Sequence, residues 1–251
     1  MAKQKGIISL KGTLGNITFY KSKDGYLARE KGGISGDRIA NDPAFQRTRE
    51  NGAEFGRAGS AGKLLRTALR ALTQNVSDSK MVSRLTRIMV KVIQADATNS
   101  RGMRNVIDGE AALLEGFEFN INGQLSATMY APYTPAITRT TGVLEVAVPA
   151  FIPSNMISAP SGTTHFRINS AGVEVDFENK TYTVESNSSA ILPWNNQATA
   201  AATLTNNVTA NSTHPLFLAM GIEFFQEVNG NMYPLKSGAF NPLALVKVST
   251  P

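Results

Sequence analysis

Three groups of residues in this sequence have types that chemistry uses. The first is the histidine pair, His165 and His214. They fall in different β-rich segments, and neither has a second ligand at metal-binding spacing. A catalytic triad also needs several converging groups. Both therefore read as hydrogen-bonded structural histidines. The second is Gly56-Arg57-Ala58-Gly59-Ser60-Ala61-Gly62-Lys63, which invites a phosphate-loop reading. It fails, because Arg57 stands where the motif needs its first glycine and Leu64 where it needs Ser or Thr. No strand leads into it either. The third is Glu174, Asp176 and Glu178, which alternate with Val173, Val175 and Phe177. That spacing puts all three carboxylates on one face of one strand, whereas a catalytic pair faces across a cleft. They read as a solvated acidic face able to meet a basic neighbour. No Gly-x-Ser-x-Gly elbow is present, and the absence of cysteine excludes disulfides and thiolate metal sites. The reading is of a protein that is not an enzyme and that needs no cofactor and no metal.

The basic residues carry the best functional signal. Lys80, Arg84, Arg87 and Lys91 repeat at helical spacing, each one residue before the apolar positions Met81, Leu85, Ile88 and Val92. Arg66 and Arg70 stand one turn apart on a preceding helix. Near the N-terminus, Lys21, Lys23, Arg29 and Lys31 lie among Phe19, Tyr20 and Tyr26. A basic ribbon with aromatics can grip a nucleic acid or an acidic subunit surface. The plainer reading is a solvated flank, which borders most amphipathic helices.

Charge is unevenly distributed along the chain. Residues 1–108 carry nine Lys and eleven Arg against nine carboxylates, a net of +11. Residues 109–251 carry three Lys and two Arg against ten carboxylates, a net of −5. Such polarity favours head-to-tail contact between copies or the holding of an anion at one end.

The elements that position these residues divide at the same place. Residues 6–31 read as a β-meander: a strand over Ile7–Lys11, a turn over Gly12–Gly15, a strand from Asn16 to Lys21, and a return after Asp24-Gly25. Asp42-Pro43 starts a helix running to about Gln74, interrupted by Gly52, Gly56, Gly59 and Gly62. A second helix spans about 78–95. From Leu113 onward the pattern is β: Phe117/Phe119/Ile121, Leu144/Val146/Val148, and two hairpins, 173–185 and 222–235, before a last strand over Leu243–Val248. Residues 186–213 read as a long Ser/Asn/Thr-rich edge region in which Trp194 anchors on the core. The fold class is α+β. A basic meander-plus-helix domain (1–110) precedes an acidic, antiparallel immunoglobulin-like β-sandwich (111–251).

Two stretches near the start, Lys11-Gly12-Thr13-Leu14-Gly15-Asn16-Ile17-Thr18-Phe19-Tyr20-Lys21-Ser22-Lys23-Asp24-Gly25-Tyr26 and Asp42-Pro43-Ala44-Phe45-Gln46-Arg47-Thr48-Arg49-Glu50-Asn51, carry a resemblance. A third is Gly221-Ile222-Glu223-Phe224-Phe225-Gln226-Glu227-Val228-Asn229-Gly230. Together they resemble an uncharacterised bacterial protein family met chiefly in Bacteroidetes. The resemblance implies no activity, fold or binding residue.

These observations predict a structural protein that assembles with copies of itself into a filament, shell or similar repeated array. A meander with so few apolar residues cannot bury itself alone. The alternative is a nucleic-acid-binding or virion-type protein using the basic half; a weaker one is a carbohydrate- or protein-binding module around Trp194. No small-molecule substrate is evident. No apolar run reaches the length of a membrane span, and the first residues lack a signal-peptide pattern, so the default address is cytoplasmic. Extracellular or virion-associated assembly stays open.

Overall fold

Strand β1 (Ala2–Lys3) begins the chain in a computed structural model that describes every residue except Met1, Ile7 and Lys31, with only the backbone of Lys236 and Ser237. The expected strand position Ile7 and the basic residue Lys31 lie outside the described residues. Contacts divide the chain into two units, Met1–Arg49 and Glu50–Pro251.

The first unit holds a four-stranded antiparallel sheet in the order β1-β4-β3-β2. β2 is Gly12–Leu14, β3 Ile17–Ser22 and β4 Gly25–Glu30. The meander forms, with one shift: Gly12–Leu14 is strand rather than turn, and the chain turns at Gly15-Asn16, where Gly15 adopts φ 56°. Residues 8–11 are irregular instead. The Gln4 side chain ties them down, donating to the Leu27 and Leu10 carbonyls and accepting from Leu10 N–H. After the sheet comes a helix absent from the sequence reading, α1 (Gly36–Asn41), capped by Ser35. Asp42 accepts from Ala44 N–H at 2.9 Å, and Arg49 donates to the carbonyls of Ile39 and Asp42. The expected helix start is therefore real, but a 3-10 turn at Pro43–Phe45 separates Asp42 from α2 (Gln46–Ala68). The first four residues of α2 belong to this unit.

In the second unit α2 continues, followed by α3 (Arg70–Thr73) and α4 (Met81–Gln94). Two short helices, α5 (Leu125–Thr128) and α6 (Pro153–Met156), stand between strands. The strands are β5 (Thr134–Thr138), β6 (Val143–Val148), β7 (His165–Asp176), β8 (Thr181–Ser188), β9 (Leu192–Pro193), β10 (Ala202–Asn207), β11 (Leu216–Val228), β12 (Asn231–Pro234) and β13 (Leu243–Ser249). The long strands β7 and β11 pair with each other; β8 and β9 flank β7, and β12 and β13 flank β11. A smaller sheet has the order β10-β6-β5.

Side-chain alternation along β7 and β11 builds two cores. Ala171, Val173, Val175, Phe217 and Ala219 point to one face, where they meet Leu65 and Leu69 from the helical segment and Leu85, Met89 and Val92 of α4. Phe166, Ile168, Leu218, Met220 and Ile222 point to the other, against Leu144, Val146 and Leu204 of the smaller sheet. Gly172 is required for that approach: a Cβ there would stand 2.9 Å from Asn206 Cβ and 3.2 Å from Leu144 Cβ.

The protein is thus mixed helix and sheet, with several antiparallel sheets, one of them curled into a half-barrel. An immunoglobulin-like sandwich is not borne out. The larger sheet is covered by helices on the face that a two-layer sandwich leaves open. Its central strands are accordingly apolar on both faces, as the buried run Leu216–Phe225 shows, and β11 begins six residues before the expected start at Ile222. The compositional break near residue 110 falls inside this unit, because α2 and α4 share their core with β7, β11 and β13.

Candidate functional site

The two units differ first in charge. Residues 1–49 hold six Lys and four Arg against four carboxylates, a net of +6. Residues 50–251 hold six Lys and nine Arg against fifteen carboxylates, a net of zero. The entire net charge of the protein belongs to its first 49 residues.

Within that first unit the cross-strand register sorts the side chains. Leu14, Ile17, Phe19, Lys21, Tyr26 and Ala28 share one face; Thr18, Tyr20, Leu27 and Arg29 share the other. The expected basic residues stand at the surface with aromatics beside them. Lys21 Nζ lies 5.5 Å from the centre of the Tyr26 ring, and Arg29 lies 5.7 Å from that of Tyr20. Lys23 is exposed in the β3–β4 turn. Among the described residues, Arg38–Asp42 is the one ion pair within this unit. The sheet is also bare on its apolar side: Leu14 is 73% exposed and Ile17 44%, and Ile8 and Leu10 of the preceding segment are exposed as well. Leu14, Ile17, Ala28 and Ala2 line an open concavity of about 950 Å³.

The helix residues separate into two kinds. Arg70, Lys80, Arg87 and Lys91 are exposed, and Arg66 is half-buried. Arg84 is withdrawn from the expected stripe. Its guanidinium donates to Asp78 at 2.5 Å and to the Glu118 carbonyl at 2.6 Å, and lies 5.2 Å from the Phe117 ring centre. Asp78 also accepts from the N–H groups of Lys80 and Ile121. Burial raises the Asp78 carboxyl, but these bonds outweigh it and hold the group below its ordinary value. Arg84 is a fastener between α4 and the segment after it.

The acidic counter-face does not form as expected. Glu178 lies beyond the end of β7, in the turn. Glu174 is buried, and accepts from Ser212 Oγ at 2.6 Å, from Thr209 N–H, and pairs with His214 Nδ1 at 2.9 Å. Burial pushes its carboxyl up, and the bonds from Ser212, Thr209 and His214 bring it below the usual glutamate range. Asp176 caps the turn, accepting from the N–H groups of Glu178 and Asn179, and sits 3.7 Å from His214 Nε2. The Asn179 bond leads in lowering its pKa. Alternation put the two carboxylates on one face correctly, but that face meets the 209–214 loop instead of solvent.

This cluster holds a hydroxyl, an imidazole and two carboxylates, yet the order is wrong for nucleophile activation. The Ser212 hydroxyl donates its hydrogen bond to Glu174, and His214 Nδ1 pairs with the same oxygen. It fastens a loop, as expected of a structural histidine. His165 likewise bonds Thr164 Oγ1 at 3.0 Å. Among the described residues no cluster of His, Cys, Asp or Glu is arranged to hold a metal ion, and no helix is long and apolar enough to cross a membrane. Trp194 packs on the core and donates to the Ile157 carbonyl, so it anchors its loop as expected.

A groove missed in the sequence lies in the second unit, between α2 and the β7–β8 turn. It is lined by Gly56, Arg57, Ser60, Leu64, Phe177 and Lys180 among others, with a volume of about 430 Å³. Its one sequence signal was the glycine run. Gly62 faces Leu85 and Met89, but a Cβ at Gly52, Gly56 or Gly59 would meet nothing within 4 Å. Each of those three costs the helix about 1 kcal/mol relative to alanine, with no packing inside the chain to require it.

Set against known proteins, the chain matches no family model, no curated protein and no solved structure.

Proposed function

We propose that this is a structural protein that associates with copies of itself through the sheet of its first unit. The observation that carries the proposal is the bare apolar face of that sheet, where Leu14 and Ile17 stand exposed and line an open concavity with Ala2 and Ala28. Contiguous exposed apolar surface marks an interaction site. Among the described residues the sheet's outer strands, β1 and β2, are also open on one side, and an open edge is a template for pairing with another chain. A second copy offers a matching feature. β8 is eight residues long and exposed throughout. Among the described residues its ladder partner is β7, and its Glu185 and Asn187 side chains bond to Asn207 and Thr205 of β10, so the outer edge left open is its Thr181–Val184 half. A meander edge joined to the β8 edge of the next copy is a head-to-tail contact that repeats without closing.

Apolar contact and strand pairing carry this reading. Attraction between oppositely charged halves does not, because the second unit is neutral and its Glu174 is spent internally. Sedimentation velocity across a concentration series tests it, with negative-stain images of the largest species. The wild type forms concentration-dependent oligomers, and Leu14→Glu with Ile17→Glu returns it to monomer. A wild type that stays monomeric at high concentration overturns the reading.

A second reading is favoured by one specific observation, the net +6 of the first unit with lysines that, among the described residues, lack carboxylate partners. A polyanion such as DNA or RNA would bind there, and the affinity would fall steeply with salt. Electrophoretic mobility shift at two salt concentrations separates the readings. Lys21→Glu with Lys23→Glu and Arg29→Glu abolishes nucleic-acid binding if this second reading holds.

A further inference from the structure

The groove in the second unit has the makings of a ligand site that is independent of self-association. Its apolar lining comes from Ala53, Leu64, Val106 and Phe177. Two cations from different elements share it: Arg57 from α2 and Lys180 from the β7–β8 turn. No carboxylate is among the residues that line it. Asp108, close by in sequence, is engaged by Asn99 and Asn105.

Arg57 is held in place before any ligand arrives. Its Nη1 donates to the Arg104 carbonyl at 2.9 Å and its Nη2 to the Gly102 carbonyl at 2.6 Å. A guanidinium has five N–H donors, so others stay available. Lys180 has no ion-pair partner among the described residues and adopts φ 58°, a left-handed conformation rare for lysine. Ser60 adds a hydroxyl with no protein partner among the described residues. Gly56 leaves the helix backbone bare at the centre, with open space over its Cβ position.

We propose that this groove binds a small amphipathic anion: an apolar chain bearing one carboxylate or phosphate head, with the head between Arg57 and Lys180. The apolar lining receives the chain, and the two cations receive the charge by charge-assisted hydrogen bonds. The volume lies within the range of small-molecule sites, roughly 300–1,000 Å³. A neutral apolar molecule would leave both cations without a counter-charge, and a bare inorganic anion would leave the lining unfilled.

Isothermal titration of the full chain with decanoate and, separately, decyl phosphate tests the proposal. The comparison of the two separates a fatty-acid source from a lipid-phosphate source. At least one binds saturably at one site per chain, and decan-1-ol binds at least tenfold more weakly. Two variants keep the fold while removing the site. Gly56→Leu fills the groove with a better helix former; it loses binding while its Tm rises by about 2–4 °C. Lys180→Gly removes one cation and relieves the positive φ; binding weakens about tenfold and Tm does not fall. The Leu14→Glu, Ile17→Glu variant binds like the wild type, which keeps the site distinct from the assembly surface. The proposal is overturned by no saturable binding of either probe, by decan-1-ol binding as tightly as the anions, or by a folded Gly56→Leu variant that binds unchanged.

Discussion

The two units use their arginines and lysines in opposite ways. In the second, six of the nine arginines (Arg57, Arg84, Arg101, Arg104, Arg139 and Arg167) bond to carboxylates or backbone carbonyls of the same unit. Arg139 alone reaches the carbonyls of Ser212, His214 and Ser249. In the first, Lys21 and Arg29 lie over tyrosine rings, and Lys3, Lys5, Lys11 and Lys23 bond to no carboxylate among the described residues. The difference teaches that net charge along a sequence and charge free to act on a partner are separate quantities. The second unit is rich in cations but has used most of its arginines as fasteners; the first spends Arg38 and Arg49 in the same way and leaves its described lysines without carboxylate partners.

Apolar residues divide the same way, and the largest expected effect tests that. Leu85 is fully buried between Gly62 and the larger sheet's core. Leu85→Ala is expected to destabilise the second unit by about 2–5 kcal/mol through lost burial and the cavity left behind. Leu14→Ala, at 73% exposure, changes stability within about 0.5 kcal/mol but weakens self-association. Urea denaturation and sedimentation read the two outcomes. Equal stability losses from both would mean that the sheet of the first unit is not bare.

The next effect concerns the polar fasteners. Glu54 is 4% exposed at its side chain and receives Gly102 N–H at 2.8 Å and Arg104 Nε at 2.8 Å. Burial raises its carboxyl, and these bonds more than offset that, so it lies below the ordinary glutamate value. Glu54→Ala leaves the buried Gly102 N–H unpaired and the Arg104 guanidinium without its carboxylate, with the Gln94 carbonyl as its remaining acceptor. The expected loss is about 2–3 kcal/mol, short of the full buried-ion penalty because Arg104 retains some solvent. Denaturant midpoints would show it, together with faster amide exchange at Gly102.

How much of this was readable in advance depends on whether the signal was local. The strands β3, β4, β6, β8, β12 and β13 and the hairpin ends of β7 and β11 follow alternation and turn residues, and α4 follows its apolar spacing at Leu85 and Val92; these were legible. The first halves of β7 and β11 were not read as strand, and the expected strand over Phe117–Ile121 is no more than an isolated bridge at Glu118. The strand β10 was hidden in a Thr- and Asn-rich segment, because only Leu204 and Asn206 face inward there. The layer of helices over the larger sheet was not legible, since which face of a sheet a helix covers is decided by contacts far apart in sequence. The roles of Arg84 and Glu174 were misread for the same reason. Helical spacing placed Arg84 on a flank, but Asp78 and the Glu118 carbonyl draw it inward. Alternation grouped Glu174 with Asp176, but the partners Ser212 and His214 are nearly forty residues away. The groove beside Gly56 has contributors from three distant segments and left only the unexplained glycines as a trace.

Acid sharpens the contrast between the units. Asp96 accepts four hydrogen bonds, from Thr98, Asn99 (twice) and Asn105. Burial works to raise its pKa, and those bonds bring it from 3.8 down to about 2. A carboxyl depressed in the folded state stabilises above its unfolded value and ceases to as pH falls through its folded one. Glu54, Asp78 and Glu174 are depressed as well. Glu118 runs the other way: burial raises it, so its contribution is lost as pH rises through the raised value, which blunts the effect above 4.5. The second unit is expected to lose stability from about pH 4 to about pH 2. In the first unit Asp42 is depressed, led by its bond from Ala44 N–H. Urea midpoints measured along the acid limb would follow the second unit's carboxylates, and a flat profile would break the contrast.

The smallest effect divides the basic residues of a single helix. Arg84, Arg87 and Lys91 look equivalent at helical spacing, yet Arg84 carries two hydrogen bonds and a ring contact while Arg87 and Lys91 are exposed. Arg84→Ala leaves Asp78 without its cation and the Glu118 carbonyl without its donor. The expected cost is about 1–2 kcal/mol, held to that range because the Arg84 side chain is about a quarter exposed and solvent screens the pair. Arg87→Ala and Lys91→Ala are each expected to lie within about 0.5 kcal/mol of the wild type. If the protein binds a polyanion through α4, the ranking inverts in the binding assay: Arg87→Ala and Lys91→Ala weaken binding and its salt dependence, whereas Arg84→Ala acts only through the fold. Measuring stability and nucleic-acid affinity on the same three variants therefore separates the cation that holds the helix from the cations that remain free to hold something else.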